Sequence, residues 1–399
     1  MPNRRRAVRR SSIVGLSSGK LRPRERGLHE KRAARLAEPL QHSDRTHVLY
    51  RGRRLSYFGG CDYFRLSSHP EVLSALEEGL RQFGLNVAAS RMTTGNHALY
   101  EKLERRLARF FGGERAVVVS SGYATNLVVA QALAGEFSHA LVDARAHASL
   151  GDAAQWLGCP VLRFQHRDAA DAARLGHQCG RRARLILLSD GLFSHDGSLA
   201  PLHDYLEVLP ADTVLLVDDA HAAGVIGRTG RGTAECLGVR SRRIVQTLTL
   251  SKAFGAYGGA ILGSLRLQEK ILARSHLFAG NTPLPLPLVC AALKALELLE
   301  KDCGLRQRLE FNIRQIKGGL QHAGVPIPNT PSPIVSWEPT SAREAQRFTQ
   351  QLLAREIFPS LIRYPGGPDS GYFRFAVSSE HSAGQLDALL EVLLGRADL

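Results

Sequence analysis

The chain has few of the features that mark secreted, membrane or metal-binding proteins. Its six cysteines are scattered without a Cys-x-x-Cys pair, which argues against a zinc site and against a disulfide framework. No apolar run reaches membrane-spanning length, and no secretion signal with a charged and then an apolar stretch is present. These absences predict a cytoplasmic protein with reduced cysteines and no membrane span. A chain of 399 residues, 44% of them hydrophobic, can still build one large core and a smaller satellite domain.

Acidic residues are scarce at the N-terminus, and this accounts for most of the net charge of +15. Residues 1–35 hold twelve Lys or Arg and two Glu, which places +10 in this segment and +5 in the rest of the chain. We predict a disordered basic arm over residues 1–25, because blocks of like charge usually stay solvated. A binding arm and a transit peptide are the other interpretations. No nucleic-acid-binding motif follows, so nucleic acid is not an expected partner.

The next part of the chain carries local patterns of helix and hairpin. Residues 26–59 are predicted to form an N-terminal segment with a helix at 26–37 and a hairpin at 48–58 that turns at Arg51-Gly52. Apolar residues at helical spacing then predict helices at Pro70–Phe83 and Ala98–Phe111.

From residue 112 the rhythm changes to short apolar runs separated by segments of helix length. The runs occupy residues 116–119, 140–142, 185–188, 214–217 and 244–248. Because they are apolar throughout, they predict parallel strands covered on both faces. The expected fold class is therefore α/β, with a doubly wound, mainly parallel sheet in a large domain at 60–282. Residues 283–399 are predicted to hold a linker helix and a smaller C-terminal α/β domain.

A carboxylate and a lysine stand just after two of these predicted strands. The run 213–217 leads into Asp218, and Lys252 follows the run 244–248. Lysine can hold the aldehyde of pyridoxal 5′-phosphate (PLP) as a Schiff base, and a carboxylate can keep the pyridine nitrogen protonated. Since ligands bind beyond the carboxyl ends of parallel strands, this pair predicts a PLP site.

Other polar motifs follow the remaining strands in order. The segment 120–126 (Ser-Ser-Gly-Tyr-Ala-Thr-Asn) opens a helix, where backbone amides can cradle a phosphate. His147 could stack on a planar ring, and Ser194 and His221 could contact its phenolic oxygen. Each motif alone is weak, but four in order at strand ends together support a cofactor site.

From about residue 57 onward the chain resembles the α-oxoamine synthase family of PLP enzymes, which includes 8-amino-7-oxononanoate synthase, glycine C-acetyltransferase, 5-aminolevulinate synthase and serine palmitoyltransferase. The matching stretches are Ser121-Gly-Tyr, Asp143-x-x-x-His147-Ala-Ser, Phe193-Ser-x-Asp-Gly197, Val217-Asp-Asp-Ala-His-x-x-Gly-Val-x-Gly227 with Gly230-Arg-Gly232, and Thr249-x-Ser-Lys252-x-Phe-Gly255. The stretch around Asp218 is the most specific of them. The resemblance implies the fold of type I PLP-dependent transferases and a homodimer with its active site at the interface.

The resemblance also implies a role for each matched residue. Lys252 would bond PLP and then remove the Cα proton, while Asp218 would pair with the pyridine nitrogen. His147 would stack over the ring, and Ser194 and His221 would contact its phenolic oxygen. The phosphate would be held by the amides of Gly122 and Tyr123 and the hydroxyls of Thr249 and Ser251. Arg374 would grip the substrate carboxylate through its planar fork.

The family reaction is a decarboxylating Claisen condensation that yields an α-amino ketone. The resemblance implies alanine, glycine or serine as the amino acid and an acyl-CoA or acyl-carrier-protein thioester as the acyl donor. An aminotransferase or aldolase that keeps the same PLP site is the alternative enzyme. A basic binding protein without catalysis is a third reading, against which the intact Lys252 and Asp218 count.

Departures from the family pattern concentrate where substrate would bind. Cys61 stands where the family usually has an asparagine near the substrate carboxylate, and His195 stands where methionine is common. Ala88-Ala89 lie in a segment that is usually rich in glycine, and Asn281 and Thr282 replace part of a segment rich in serine and threonine. The sequence therefore leaves the identity of the amino acid and of the acyl group open.

Overall fold

The computed structural model describes residues 37–363 and 370–395. The predicted basic arm at 1–25 and nearly all of the helix predicted at 26–37 lie outside the described residues. From Leu40 onward the described chain forms one compact unit. In this described part, no helix is both long and apolar enough to cross a membrane.

The first described elements form a small antiparallel sheet. Its strands are β1 (Gln41–His42), β2 (His47–Tyr50) and β3 (Arg53–Ser56), in the order β1-β2-β3. The predicted hairpin is confirmed, and its turn residues Arg51 and Gly52 both have positive φ, 51° and 75°. Positive φ at both central residues is the geometry of a type I′ turn, which matches the twist of paired strands.

Two amphipathic helices follow with the predicted bounds, α1 (Pro70–Phe83) and α2 (Ala98–Phe111). Each begins at a histidine whose side chain accepts a backbone N–H, His69 for α1 and His97 for α2. α2 ends at Gly112, where φ is 70°, a conformation that favours glycine. Both helices contribute to one buried core, α1 through Val72 and α2 through Leu103 and Leu107.

The central sheet has seven strands among the described residues. They are β4 (Arg115–Val119), β5 (His139–Asp143), β6 (Val161–Phe164), β7 (Leu185–Asp190), β8 (Val214–Asp218), β9 (Ile244–Thr249) and β10 (Gly259–Gly263). Their order is β4-β10-β9-β8-β7-β5-β6, with β10 antiparallel to both neighbours and the other pairs parallel. The predicted α/β class with a mainly parallel sheet is confirmed.

Two of these strands were missed in the sequence. β6 lies at the sheet edge and is only partly buried, so it lacks the continuous apolar run of a central strand. β10 begins and ends with glycine, which weakens any strand pattern. The sequence patterns therefore do not predict either strand.

Helices cover both faces of this sheet. They are α3 (Gly122–Ala132), α4 (Ala148–Trp156), α5 (Ala169–Gln178), α6 (Leu202–Val208), α7 (Thr233–Cys236), α8 (Leu265–Arg274) and α9 (His276–Ala279). Ile186 and Leu188 of β7 pack in a core with α3, α4 and α8, whereas Leu185 and Leu187 pack in another core with α5 and α6. Burial on both faces explains why β7 is apolar over its first four residues.

The C-terminal part is a small antiparallel sheet packed with helices. Its elements are α10 (Leu286–Lys301), α11 (Cys303–His322), β11 (Ile334–Trp337), α12 (Ala342–Ala354), β12 (Leu361–Ile362), β13 (Tyr372–Ala376) and α13 (Ala383–Leu394), with the strand order β11-β13-β12. α10 lies where the linker helix is predicted, and the helices and strands after it match the α/β pattern expected for this part. A single buried core contains Leu107 of α2, Leu296 of α10 and Leu386 of α13. The predicted domain boundaries at 59 and 282 stay predictions.

We predict that Gly255→Ala destabilises the protein strongly, because this turn touches another backbone segment. Gly255 has a φ of 57°, and a Cβ there would overlap the backbone nitrogen of Ser67. Gly135 is a matched control, since its φ is 76° but an added Cβ would meet nothing within 4 Å. By chemical denaturation, Gly135→Ala should lower the free energy of unfolding by about 1–2 kcal/mol and Gly255→Ala by clearly more. Equal losses would contradict the close approach.

Candidate active site

The predicted site residues come together at the carboxyl ends of the central strands. Asp218 ends β8, Thr249 ends β9, and Lys252 lies three residues beyond it. His147 begins α4 after β5, and His221 follows β8. Lys252 is close enough to Asp218 for their charges to interact, and both residues affect the pKa of His147. The parallel register places these side chains at one edge of the sheet.

A chain of hydrogen bonds begins at Lys252. Its Nζ lies 2.9 Å from His221 Nε2, and His221 Nδ1 lies 2.7 Å from the hydroxyl oxygen of Tyr63. His221 and Tyr63 are both buried. Burial lowers the pKa of His221 well below its ordinary value, and the positive charges of Lys252 and Arg374 lower it further. The imidazole is therefore neutral near pH 7 and holds the lysine amine in place.

The environment of Lys252 favours the neutral amine. Burial is the main cause of its lowered pKa, and Arg374 acts in the same direction, while Cys61, Asp218 and Asp190 oppose the decrease. A lowered lysine pKa increases the fraction of free amine at neutral pH, and only the free amine can attack an aldehyde or take a proton. Lys252 thus has the chemistry of a nucleophile and of a base.

The carboxylate of Asp218 is buried and held by donors on both oxygens. Asn126 Nδ2 donates to Oδ2 at 2.6 Å, and the backbone N–H of Ala220 donates to Oδ1 at 2.9 Å. Asn126 also accepts a hydrogen bond from Thr247 Oγ1 at 2.7 Å and donates to Ser149 Oγ at 2.9 Å. This network fixes Asp218 where it could pair with a protonated pyridine nitrogen.

Asn126 lies within the 120–126 motif, but the sequence patterns predict no role for it. The signal that could have identified it is a pair of polar residues, Thr125 and Asn126, inside the otherwise apolar helix α3. Both are buried, with 1% and 0% of their surface exposed. Polar side chains are rarely buried without partners, so such a pair in an apolar helix indicates a polar network nearby.

The neighbouring Asp219 serves another purpose. Its carboxylate accepts hydrogen bonds from Thr233 Oγ1 at 2.6 Å and from Gln246 Nε2 at 2.6 Å. Burial raises its pKa to about 6, although these hydrogen bonds act against the increase. Asp219 therefore ties the Gly230-Arg-Gly232 segment to β9, and only Asp218 of the pair belongs to the Lys252 cluster.

His147 is oriented by two neighbours. Its backbone N–H donates to Asp190 Oδ2 at 2.7 Å, and its Nδ1 accepts from the backbone N–H of Ser149 at 3.2 Å. Partial desolvation lowers the pKa of His147, and Asp218 opposes this decrease. The imidazole is exposed to solvent and meets the ring of Tyr123 edge-on, with 6.0 Å between the centroids. A neutral imidazole held in this way can stack on a planar ring.

Asp190 is a further acidic residue of the site for which the sequence patterns predict no role. It ends β7 and lies directly beside Asp218 in the strand register. Burial raises its pKa well above the ordinary value, and the charge of Asp218 adds to the increase. Its hydrogen bond from the backbone of His147 makes it a support for that histidine, and the raised pKa favours a protonated carboxyl group beside Asp218.

The residues predicted to hold phosphate meet at the start of α3. Ser121 caps the helix, and a Cβ added to Gly122 would lie 2.6 Å from Thr249 Cβ, so only glycine fits there. The backbone N–H of Ser251 donates to Thr249 Oγ1 at 3.1 Å, and Tyr123, with an exposed ring, donates its hydroxyl to Asp152. A helix N-terminus beside two hydroxyls suits a phosphate group.

Asn281 and Thr282 lie near the predicted phosphate site at the start of α3. Asn281 Nδ2 donates to Ser120 Oγ at 2.9 Å. Asn281 and Thr282 line a small cleft with Ser120 and Ala124. The segment therefore borders the predicted phosphate site within this one chain.

Arg374, Ser194 and Cys61 form the opposite side of the site. Arg374 lies on β13, and its guanidinium donates to the backbone oxygen of Ser194 at 3.4 Å and to Cys61 Sγ at 3.8 Å. The charge of Arg374 also acts on Lys252. The C-terminal sheet thus brings an arginine to the lysine cluster, where it could bind a carboxylate.

These residues fit PLP. A lysine amine with a lowered pKa suits the aldehyde, a hydrogen-bonded carboxylate suits the pyridine nitrogen, and a neutral histidine suits the face of the ring. The helix start at Gly122, where a side chain would overlap Thr249, suits the phosphate.

Comparisons with known proteins agree with this arrangement. The family model for aminotransferase class I and II matches residues 59–393. The 8-amino-7-oxononanoate synthase of Pseudomonas paraeruginosa is 35% identical over 377 residues, which cover 92% of this chain and 93% of that protein. The 8-amino-7-oxononanoate synthase of Francisella tularensis has a TM-score of 0.74 at 25% identity and covers 86% of this chain and 97% of its own.

A second kind of relative shares the same fold. A variant serine palmitoyltransferase of S. paucimobilis, solved with a bound PLP–myriocin aldimine, has a TM-score of 0.83 at 28% identity. The superposition covers 90% of this chain and 91% of that chain. The chain is therefore similar over about nine tenths of its length both to an 8-amino-7-oxononanoate synthase and to a serine palmitoyltransferase.

We predict that Asn126→Leu destabilises the protein, because it keeps the volume but leaves Asp218 Oδ2 without its side-chain donor. The free energy of unfolding should fall by about 2–4 kcal/mol, since a hydrogen bond to a buried charge is lost with those to Ser149 and Thr247. Chemical denaturation of the cofactor-free protein measures this loss. Asn329→Leu is the control, because Asn329 is exposed and accepts a single bond of 3.4 Å from Gln321. A loss no larger than that of the control would contradict the role of Asn126.

Proposed function

Since the chain belongs to the α-oxoamine synthase family of PLP-dependent acyltransferases, within aminotransferase class I and II, we propose that it joins an amino acid to an acyl thioester. The reaction is a decarboxylating Claisen condensation like that of 8-amino-7-oxononanoate synthase. Alanine, glycine or serine supplies the amino group, and an acyl-CoA or acyl-carrier protein supplies the acyl group. The observation that carries the proposal is the meeting of Lys252, Asp218 and Arg374 in one site.

Lys252 is the group that moves the proton in this proposal. PLP, when bound, supplies a protonated ring that stabilises negative charge at the substrate Cα. Lys252 Nζ, as a free amine, takes the Cα proton, and its lowered pKa keeps the amine available at neutral pH. His221 Nε2, 2.9 Å away, keeps Nζ at the place where that proton is released.

Asp218 and His147 hold the cofactor in the orientation that the chemistry needs. Asp218 would face the pyridine nitrogen, and hydrogen bonds from Asn126 and from the backbone N–H of Ala220 hold its carboxylate in place. The neutral imidazole of His147 covers one face of the ring. Ser194 would contact the phenolic oxygen, whereas both ring nitrogens of His221 are engaged by Lys252 and Tyr63. Gly122, Tyr123, Thr249 and Ser251 would hold the phosphate.

Arg374 positions the amino acid. A guanidinium can grip a carboxylate with two parallel N–H bonds, which orients the Cα carbon as well as binding it. Cys61, whose sulfur accepts from Arg374, completes this side of the site. A thiol cannot donate two N–H bonds as an asparagine amide can, so the carboxylate rests mainly on Arg374.

The proposal includes a homodimer in the cytoplasm. Large apolar side chains are exposed and support a partner surface, with 73% exposure at Leu85, 47% at Met92 and 51% at Tyr257. All six cysteines are free thiols, which supports a reducing setting. Sedimentation at the mass of one chain would contradict the dimer.

The test of this function is a titration of the purified holoprotein, followed by visible absorbance. One of glycine, alanine and serine should change the spectrum of the bound cofactor. Carbon dioxide and free thiol should then appear only when the matching acyl-CoA or acyl-carrier protein is added. Lys252→Ala should lose the absorbance of lysine-bound PLP and slow turnover by about 10²–10⁴-fold, the usual contribution of a positioned acid–base group.

Two other outcomes would point elsewhere. A spectral response to an amino acid without thioester-dependent release of carbon dioxide would favour an aminotransferase or aldolase. A protein that takes up no PLP but is retained on nucleic acid, and loses this retention when residues 1–25 are deleted, would be a non-catalytic binding protein.

We predict that Arg374→Ala weakens amino-acid binding without preventing PLP uptake. The apparent affinity for the amino acid should fall by about 10–100-fold, because charge-assisted hydrogen bonds to a carboxylate are lost. The titration above measures this change. Arg343→Ala is the control, since Arg343 is exposed on α12 of the same C-terminal part. An unchanged affinity for Arg374→Ala would place the carboxylate site elsewhere.

A further inference from the structure

Tyr63 is a buried hydroxyl that the proposed reaction leaves without a role. Only 1% of its surface is exposed, and its hydroxyl oxygen lies 2.7 Å from His221 Nδ1. Burial raises the pKa of this hydroxyl, Cys61 is close enough to raise it further, and the Cys61 sulfur accepts from Arg374 at 3.8 Å. A continuous chain of polar groups thus runs from Lys252 through His221, Tyr63 and Cys61 to Arg374.

The number of protons in this chain is limited. His221 is neutral, so it carries a single N–H, and burial keeps Tyr63 protonated by raising its pKa well above the ordinary value. When Lys252 is charged, its N–H donates to His221 Nε2, and His221 Nδ1–H must donate to the Tyr63 oxygen. The Tyr63 hydroxyl is then directed at Cys61 Sγ, which also accepts from Arg374.

The opposite arrangement suits a neutral lysine. If Tyr63 donates to His221 Nδ1, the imidazole proton sits on Nε2 and donates to the lone pair of Lys252 Nζ. The tautomer of His221 therefore changes with the charge of Lys252. In the first arrangement Tyr63 can accept from His221 and also donate to Cys61, whereas in the second it makes only the bond to His221, so Tyr63 favours the first arrangement.

We propose that Tyr63 is a positioning residue that sets the tautomer of His221 and thereby stabilises the charged form of Lys252. The proposal rests on the proposed role of Lys252 as the residue that bonds PLP. Without the Tyr63 oxygen, the Nδ1–H tautomer would bury an unsatisfied donor, which is costly. His221 would then carry its proton on Nε2, facing Lys252, and the lysine would lose its proton more readily.

Several other charges act on Lys252 and must stay unchanged in a test. Cys61 in the loop after β3, Asp218 on β8 and Asp190 on β7 raise the pKa of Lys252 and so favour its charged form. Arg374 on β13 lowers that pKa. Lys252 in turn acts on His147 at the start of α4. Replacing Tyr63 by phenylalanine alters none of these charges, so a shift would report the hydrogen bond alone.

The experiment measures how fast cofactor-free protein takes up PLP as a function of pH, followed by the visible band of the lysine-bound cofactor. Uptake needs the free amine, so its midpoint reports the pKa of Lys252. Tyr63→Phe should move the midpoint to lower pH by about one unit, since one hydrogen bond contributes about 1.4 kcal/mol or less. Tyr100→Phe is the control, because Tyr100 is equally buried and donates to the oxygen of Leu284 at 2.6 Å, outside this chain of bonds.

Each result decides the matter. A midpoint shifted in Tyr63→Phe but not in Tyr100→Phe supports the proposal, and equal midpoints in all three proteins overturn it, even if Tyr63→Phe is less stable. If Tyr63→Phe does not fold, Tyr63→Leu replaces it, since it also removes the hydroxyl and leaves every charge in place. The midpoint should again fall, and an unchanged midpoint overturns the proposal. Failure of the wild-type protein to take up PLP would instead refute the proposed function.

Discussion

The site depends on the burial of a charged carboxylate at the end of a central strand. A carboxylate removed from water is stable only when hydrogen bonds replace the lost solvation. For Asp218 those bonds come from Asn126 on α3 and from the backbone after β8. Asn126 in turn is held by Thr247 of β9 and Ser149 of α4, so four neighbouring elements are set by one buried group. The rest of the cofactor site is built around this point.

Burial decides which ionisable groups of the site carry charge, because it disfavours the charged form of each group. Burial lowers the pKa of Lys252, His147 and His221 and so favours their neutral forms, while the pKa of Asp190 beside Asp218 is raised. Neutral imidazoles can accept or donate without adding charge, so they can orient Lys252 and a planar ring by hydrogen bonding and stacking. The arrangement separates groups that hold charge from groups that only direct protons.

The substrate side is constructed differently. Arg374 arrives on β13 of the C-terminal sheet, more than one hundred residues after Lys252, and meets the backbone of Ser194 and the sulfur of Cys61. Three distant parts of the chain therefore define where a carboxylate can bind. The cofactor side keeps the family motifs, while Cys61 and Ala88-Ala89 depart from them on the substrate side. Such a division suits a shared cofactor chemistry applied to a different pair of substrates.

The sequence by itself determined the α/β class, the five apolar strands and the position of Lys252 and Asp218 at strand ends. Those features rest on local apolar runs and on the rule that parallel strands end together. The family resemblance selects Asp218 over Asp219 for the pyridine nitrogen, but the separate role of Asp219 depends on its own hydrogen-bond partners, which only the structure shows. The sequence patterns also missed β10, whose glycines weaken the strand pattern, and β6, which is only partly buried at the edge. The roles of Asn126, Asp190 and Tyr63 arise from contacts between residues far apart in the chain, which only tertiary packing decides.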